Sequence, residues 1–342
     1  LPTWFTIRVS KNNYVARKRE VDLLIAMNAQ TAREDVESLT AGAAVVFEQT
    51  LGLEKIRNDL VFYPVPFAEL AKEVIEEVRL RKLLANMIYV GVVGQLLSID
   101  IEEIQAAIAK QFKSKTKAIE LNMKAVGIGF DYAKKNLAKA DPLRIERMDE
   151  TVGKILIDGN AAGALGSMFN GVTVVTWYPI TPSSSLVESL TDYLNKYRID
   201  EETGKATFAV LQAEDEIAAV GIVVGAGWAG ARSMTSTSGP GISLMSEFVG
   251  LAYFSEIPAV IWDIQRVGPS TGLPTRTAQG DILSTYHLSH GDTTHILLLP
   301  CSVEECFEFG GTSFDLAERF QTPVFVMSDL DLGMNIWMSD PF

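Results

Sequence analysis

Four short segments carry the residue types that could do chemistry. They are Tyr178-Pro179-Ile180-Thr181-Pro182-Ser183-Ser184-Ser185, Gln212-Ala213-Glu214-Asp215-Glu216, Thr235-Ser236-Thr237-Ser238-Gly239-Pro240-Gly241, and the run from Arg266 to Thr275. In the first, each proline fixes its own φ and biases the residue before it to extended geometry. Thr181 is thereby pinned, and a pinned hydroxyl is a preorganised hydrogen-bond donor. The same order also suits a helix entry, with Thr181 as cap and Pro182 at the first helical position. The second segment crowds three carboxyl groups at a helix start, where each complements the positive end of the macrodipole. The third offers backbone amides, hydroxyls and glycine freedom. It suits an anion or a flat ring, and equally a plain turn. In the fourth, an arginine follows an apolar strand. Its planar fork matches a carboxylate, and a solvated loop arginine is the alternative.

His287, His290 and His295 are the only histidines. Their spacing loosely resembles a metal site. His295 opens an apolar strand, however, and no cysteine or acid completes a ligand set, so no metal is assigned.

These segments need elements to hold them in place. Ala161–Phe169 reads as a helix of small residues and Val172–Tyr178 as a buried strand. A helix follows with anchors Leu186, Val187, Leu190 and Leu194. Phe208–Gln212 reads as a strand and 214–232 as a long helix. Its glycines at 221, 225, 227 and 230 make sense only if it packs closely. Ser233–Ser236, Ile257–Ile264, His295–Leu299 and Val324–Ser328 are further strands. Strand–helix alternation in this order implies a doubly wound parallel sheet. Ligands bind such sheets beyond the carboxyl ends of the strands, where all four segments fall.

The first 140 residues show a separate α/β alternation. Val21–Met27, Ala44–Phe47, Leu60–Tyr63 and Met87–Val93 read as strands. Phe67, Leu70, Ala71, Val74, Ile75 and Val78 recur at helical spacing, and Asp100 with Glu103 reads as a capping box. Val90-Gly91-Val92-Val93-Gly94 lacks the spacing of a dinucleotide fingerprint and reads as a tight strand end. The charged stretch 134–150 suggests domains at 1–140 and 151–342, with a linker at 141–150.

Bulk composition fits an α/β protein of 342 residues and two domains. It is 47% apolar and 21% charged. Its 43 acidic against 30 basic residues give a net charge of −13, which argues against nucleic acid and anionic membrane partners. Two cysteines, Cys301 and Cys306, exclude a disulfide framework. They also exclude an iron–sulfur cluster held by this chain alone, which needs about four thiolates. The longest apolar run, Ile217–Ala231, is too short to span a bilayer. No export leader is recognisable and a reducing compartment fits, so a cytoplasmic location is expected. A start at Leu1 and an end in the loop-like Ser339-Asp340-Pro341-Phe342 suggest a piece of a longer polypeptide.

Taken together, these motifs resemble the α subunit of 2-oxoacid:ferredoxin oxidoreductases, thiamine-diphosphate enzymes. The matching text is Gly159-Asn160-Ala161-Ala162-Gly163-Ala164-Leu165-Gly166, the 178–185 stretch, 211–241, 265–281 and 289–295. More weakly, the first 140 residues resemble the family's γ domain, fused ahead of the α domain. The γ domain's glycine-rich opening is missing and the α portion is cut short, as a fragment would be.

The resemblance implies an α/β chain. A truncated γ-type domain is followed by a doubly wound domain that binds the aminopyrimidine of thiamine diphosphate. A separate β subunit would supply the diphosphate and magnesium site and the iron–sulfur cluster. The implied reaction is coenzyme A-dependent oxidative decarboxylation of a 2-oxoacid, with 2-oxoglutarate favoured, in an α2β2 assembly that passes electrons to ferredoxin. Glu214 takes the position of the carboxyl group on the pyrimidine ring. A buried setting would raise its pKa and let it share a proton with the ring. Tyr178, Pro179, Ile180, Ser238 and Gly239 take cofactor-contacting positions. Thr181 and Arg266 take those that bind the 2-oxoacid, and Thr275 that of a pocket wall. Alternatives are a transketolase-like thiamine enzyme subunit, which needs no iron–sulfur partner, and a non-catalytic assembly module of the same fold.

Overall fold

The computed structural model describes residues 4–342 other than 13, 15, 17, 75, 76, 267–272 and 275. It divides between Glu150 and Thr151 into two compact units.

In the first unit, β1 (Leu23–Ala26), β2 (Ala44–Glu48) and β3 (Val61–Val65) form a parallel sheet in that order. Helix α1 (Ala32–Glu37) follows β1, and α2 (Phe67–Val74) follows β3. Then come α3 (Val78–Leu96), α4 (Ile101–Phe112) and α5 (Thr116–Asn136). Alternation along β2 sends Ala44 and Val46 into one apolar cluster and Val45 and Phe47 into another.

Three expectations for this unit are corrected. The Met87–Val93 run is not a strand but the middle of α3. Its buried residues Leu84, Ile88, Val92 and Leu96 recur every four positions, a helical period that a seven-residue window hides. The glycines at 91 and 94 therefore end no strand. A Cβ on Gly91 would lie 2.0 Å from the Val126 carbonyl oxygen, and one on Gly129 would lie 2.2 Å from that of Ile88, so glycine lets α3 and α5 touch backbone to backbone. Asp100 precedes α4 but its side chain makes no capping bond. Glu103 pairs instead with Arg147 at 3.1 Å. Val78, expected to continue the α2 face, opens α3 and is exposed, and Ile75 lies outside the described residues.

The start of the expected linker is anchored in this unit. The Tyr63 hydroxyl donates to the Asp141 carboxylate and accepts the backbone N–H of Ala140 at 2.9 Å. Lys139 adds an ion pair to Asp141 at 2.9 Å. Burial raises the Asp141 pKa, but the bonds from Tyr63, Lys139 and the Leu143 amide outweigh it and hold the pKa below the usual range.

The second unit opens with β4 (Ile155–Ile157) and α6 (Gly159–Phe169), then β5 (Val174–Trp177), α7 (Ser184–Tyr197), β6 (Ala209–Gln212) and α8 (Glu216–Trp228). There follow β7 (Ser233–Thr237), α9 (Gly239–Leu244), α10 (Ser246–Phe254), β8 (Ala259–Gln265) and α11 (Ile282–Tyr286). The chain ends with β9 (Ile296–Leu298), α12 (Val303–Phe320), β10 (Pro323–Asp329), α13 (Leu330–Met334) and β11 (Trp337–Ser339), which pairs antiparallel with β4. Six strands form one parallel sheet in the order β6-β5-β7-β8-β10-β9.

Both faces of this sheet are covered, as near-continuous apolar strands require. Val260, Trp262 and Ile264 of β8 join a core with Leu186, Val187, Leu190 and Leu194 of α7 and Phe314 of α12. Ile261, Phe325 and Met327 point the other way, into a core with Val220 and Val224 of α8 and Val249 of α10. From β5 the chain first builds outward to β6 and then returns to β7 on the other side. The carboxyl ends of β5 and β7 thus flank the point where strand order reverses, the usual ligand crevice of such sheets.

Candidate active site at the carboxyl ends of the sheet

The loop after β5 carries the double-proline segment. Thr181 does not cap α7, and Pro182 is not its first residue. The helix begins at Ser184, after a turn closed by the amides of Ser183 and Ser184 on the Ile180 carbonyl, at 2.8 and 3.1 Å. Asn160, fully buried in α6, holds this turn from below. Its amide donates to the Pro182 carbonyl at 2.9 Å and to the Ser185 hydroxyl at 2.8 Å. Sequence reasoning quoted the Gly159-Asn160 motif without giving Asn160 a task. An amide two residues after a helix-capping aspartate, in a helix of otherwise small apolar residues, was the available signal, since such a group must find a partner when buried.

Arg266, one residue past β8, is 5% exposed, which excludes the solvated-loop reading. Its Nη1 donates to the Thr181 carbonyl at 2.5 Å. Burial lowers its pKa, and the negative charge of Glu216 acts in the opposite direction. The Ser238 hydroxyl, buried at the end of β7, also reaches the Thr181 carbonyl, at 3.5 Å. Thr181, Ser238 and Arg266 therefore meet at one place, drawn from three strand ends. Thr181 itself is exposed, as are Tyr178 and Pro179, while Ile180 and Gly239 are half-buried. Thr275 lies outside the described residues.

Among the three clustered acids the structure departs from expectation. Glu214 is exposed and precedes the helix, so it lacks the buried setting expected of it. Asp215 is the N-cap of α8, its carboxylate accepting the Ala218 amide at 2.7 Å. Glu216 is the buried one, at 8% exposure. It shares the inner face of α8 with Ala219, Val220, Val223 and Gly227. It also lies against the glycine loop after β7. A Cβ on Gly241 would stand 2.8 Å from Glu216 Cγ and 2.0 Å from Thr237 Oγ1, a hydroxyl with no partner among the described residues. The physical reason is the helical period: the capped turn starts at 215, and the position after the cap faces inward.

His287 and His295 make local structural contacts, and His290 is exposed. His295 Nε2 bonds the Leu288 carbonyl at 2.7 Å, and its ring meets Tyr253 and Phe325 edge-on. Burial pushes its pKa down. His287 Nδ1 contacts the Thr293 carbonyl at 3.1 Å. Both close the 286–295 loop, and among the described residues no cluster of histidine, cysteine and acid could hold a metal.

This geometry coincides with the part of the chain that known proteins share. Residues 166–335 match the family described as pyruvate flavodoxin/ferredoxin oxidoreductase, thiamine-diphosphate binding. Residues 1–132 match pyruvate ferredoxin/flavodoxin oxidoreductase. The alpha subunit of 2-oxoacid:ferredoxin oxidoreductase 1 from Sulfurisphaera tokodaii is 30% identical, over 99% of this chain and 59% of its own. The chain belongs to the family of 2-oxoacid:ferredoxin oxidoreductase alpha subunits.

Within that family, the 2-oxoglutarate synthase subunit KorA of Methanocaldococcus jannaschii is 44% identical over 52% of this chain and 46% of its own. A 2-oxoglutarate:ferredoxin oxidoreductase from Magnetococcus marinus, solved with 2-oxoglutarate, coenzyme A and succinyl-CoA bound, superposes with a TM-score of 0.81. It is 33% identical and covers 94% of this chain and 54% of its own. The chain thus spans about half the length of the relatives it matches. The residues present fit the ring end of a thiamine cofactor: Thr181, Glu214 and Arg266 stand just past the carboxyl ends of β5, β6 and β8, and β7 ends on the Thr237 hydroxyl, which has no partner among the described residues.

Proposed function

We propose that this chain provides the pyrimidine half of a thiamine-diphosphate site in a 2-oxoacid:ferredoxin oxidoreductase, with 2-oxoglutarate as the favoured substrate. The observation that carries this reading is the buried Arg266, bonded to the Thr181 carbonyl near the topological switch point. When bound, the cofactor supplies the electron sink for decarboxylating a 2-oxoacid. This chain's residues do the rest. Glu214, exposed beyond the carboxyl end of β6, meets a ring nitrogen of the cofactor, while Asp215 caps α8 and Glu216 packs beside Thr237 and Gly241. The Thr181 hydroxyl and the Arg266 guanidinium meet the substrate carboxylate, and the Arg266 bond to the Thr181 carbonyl keeps the two in register. Tyr178, Pro179, Ile180, Ser238 and Gly239 line the cofactor's path, and Thr275 a wall of the substrate pocket.

A separate β subunit supplies the diphosphate and magnesium site and an iron–sulfur cluster. Ferredoxin and coenzyme A are the co-reactants, in an α2β2 assembly in the cytoplasm. The two cysteines support this division: Cys306 is buried, with its thiol pKa pushed far up by burial, and Cys301 is exposed some way off in sequence from any other thiol but that one. Exposed apolar side chains on α8 to α11, among them Ile217, Trp228, Phe254 and Leu283, suit a partner subunit. The test is 2-oxoacid-dependent reduction of ferredoxin by the complete assembly, compared across 2-oxoglutarate and pyruvate. Turnover with 2-oxoglutarate at least tenfold more efficient than with pyruvate is expected. An assembly that reduces no ferredoxin with any 2-oxoacid overturns the reading.

A further inference from the structure

The end of β8 that leads into Arg266 also buries two polar side chains that the proposed chemistry does not use. Ile261, Asp263 and Gln265 alternate with Val260, Trp262 and Ile264, so they share the face packed against α8 to α11. Ile261 joins the apolar core there. Asp263, two residues on, is fully buried, and neither carboxyl oxygen has a donor among the described residues. The next residue on that face, Gln265, bonds Asp281 at 2.6 Å, which brings a second buried carboxyl group to this side of the strand, and the Asp281 charge acts on Asp263.

Asp281 ends the Gln279-Gly280-Asp281 segment and directly precedes α11. It is 7% exposed. One of its oxygens accepts the Gln265 side-chain amide at 2.6 Å, and the other makes no bond to a donor among the described residues. That second oxygen presses on the loop after β7: a Cβ on Gly239 would stand 2.7 Å from it and 2.6 Å from the Arg266 carbonyl oxygen.

Two ionised carboxylates cannot face each other out of water with no cation between them. One proton on the pair resolves both problems at once. It removes a buried charge, and it turns one acid into the donor that the other lacks. Asp281 accepts from an amide and is the better-stabilised anion. Asp263 has no donor and is the natural site of the proton. Burial first, and the neighbouring Asp281 charge second, push the Asp263 pKa far up, in agreement with this assignment.

We propose that Asp263 and Asp281 are a positioning pair that shares one proton, and that the bond between them pins the 279–281 segment across the ends of β7 and β8. The pair fixes Gly239 and the Arg266 backbone relative to each other. On the proposed function, these are a cofactor-contacting loop and the substrate-binding arginine, and the positioning role rests on that reading. The shared proton itself does not.

Infrared difference spectroscopy of the intact enzyme against its Asp263→Asn variant, at about pH 7.5, tests the proton. That pH is well above the range where an ordinary aspartate protonates. The expected result is a protonated-carboxyl C=O band in the parent that shifts in D2O and is absent from the variant. A parent without the band overturns the pair. Kinetics test the positioning role. Asp263→Asn keeps a donor toward Asp281 and should leave the KM for 2-oxoacid within about twofold of the parent. Asp263→Ala, which removes the donor, should raise KM about tenfold. If Asp263→Ala folds and binds substrate like the parent, the pair positions nothing. If the band is present while Arg266→Lys leaves 2-oxoacid kinetics unchanged, it is the site reading that fails and the pair stands.

Discussion

Three adjacent acids occupy three different environments at the residue scale. Glu214 is exposed, Asp215 caps α8 and Glu216 is buried beside Thr237 and Gly241. Each substitution therefore has its own signature. Glu214→Gln keeps shape but cannot act as a carboxylate toward a cofactor ring, so on the proposed reading turnover of the complete assembly should fall by orders of magnitude while the fold survives. Asp215→Ala should cost about 1 kcal/mol of stability through the lost cap, visible as a lower melting temperature with turnover little changed. Glu216→Gln, packed beside Thr237 and Gly241, should show mainly in stability. Equal losses of turnover for the 214 and 216 variants would return all three acids to the helix dipole. Arg266 gives a second case. Its guanidinium bonds the Thr181 carbonyl and, on the proposed reading, also meets a substrate carboxylate, a fork that an ammonium cannot reproduce. Arg266→Lys should raise the KM for the 2-oxoacid by a factor consistent with about 1.5–3 kcal/mol, with the KM for coenzyme A unmoved. Steady-state kinetics with each substrate varied in turn read this directly.

Elements explain why parts of this were legible and parts were not. The sheet of the second unit was readable because its strands are apolar on both faces and its helices carry clear periods, as in Leu186, Val187, Leu190 and Leu194. The convergence of four segments at its carboxyl ends followed from strand order alone. Met87–Val93 was misread because Ile, Tyr and Val favour strands and the surrounding α3 was longer than the window. The burial expected of Glu214 falls to Glu216 for a related reason. The inner face of α8 runs 216, 219, 220, 223, 227, and extending that period backward would have selected Glu216. Asp263 and Asp281 lie 18 positions apart in sequence, and no local pattern brings two such carboxyls together. The Tyr63–Asp141 contact is as non-local, and it makes an element-scale prediction. Because the folded pKa of Asp141 is depressed, its ionisation stabilises the first unit above the unfolded pKa of about 4 and loses that effect as pH falls through the folded value. Asp141→Asn should be less stable than the parent at neutral pH, with the gap closing in acid. Chemical denaturation at a series of pH values measures it, and a gap independent of pH would remove the ionised carboxylate from the account.

At the scale of the whole molecule, the proposed active site is divided between two polypeptides, and that division is testable. The second unit offers a carboxyl, a pinned threonine and a buried arginine around one crevice. Among the described residues it offers no group of acids or histidines able to hold a metal, and its two cysteines are too few for a cluster. Its net charge of −13 also disfavours a phosphate-rich ligand held by this chain without a counter-charge from elsewhere. A cofactor that carries a diphosphate would thus find its ring end here and its charged end on another polypeptide. Affinity should then be strongly non-additive. The chain alone should bind thiamine diphosphate weakly and with little response to magnesium, whereas the complete assembly should bind it tightly and lose it to a chelator. Isothermal titration of both, with and without magnesium, separates the cases. Tight magnesium-dependent binding by the chain alone would mean that it holds a diphosphate site of its own, and the division of the active site between two polypeptides would have to be given up.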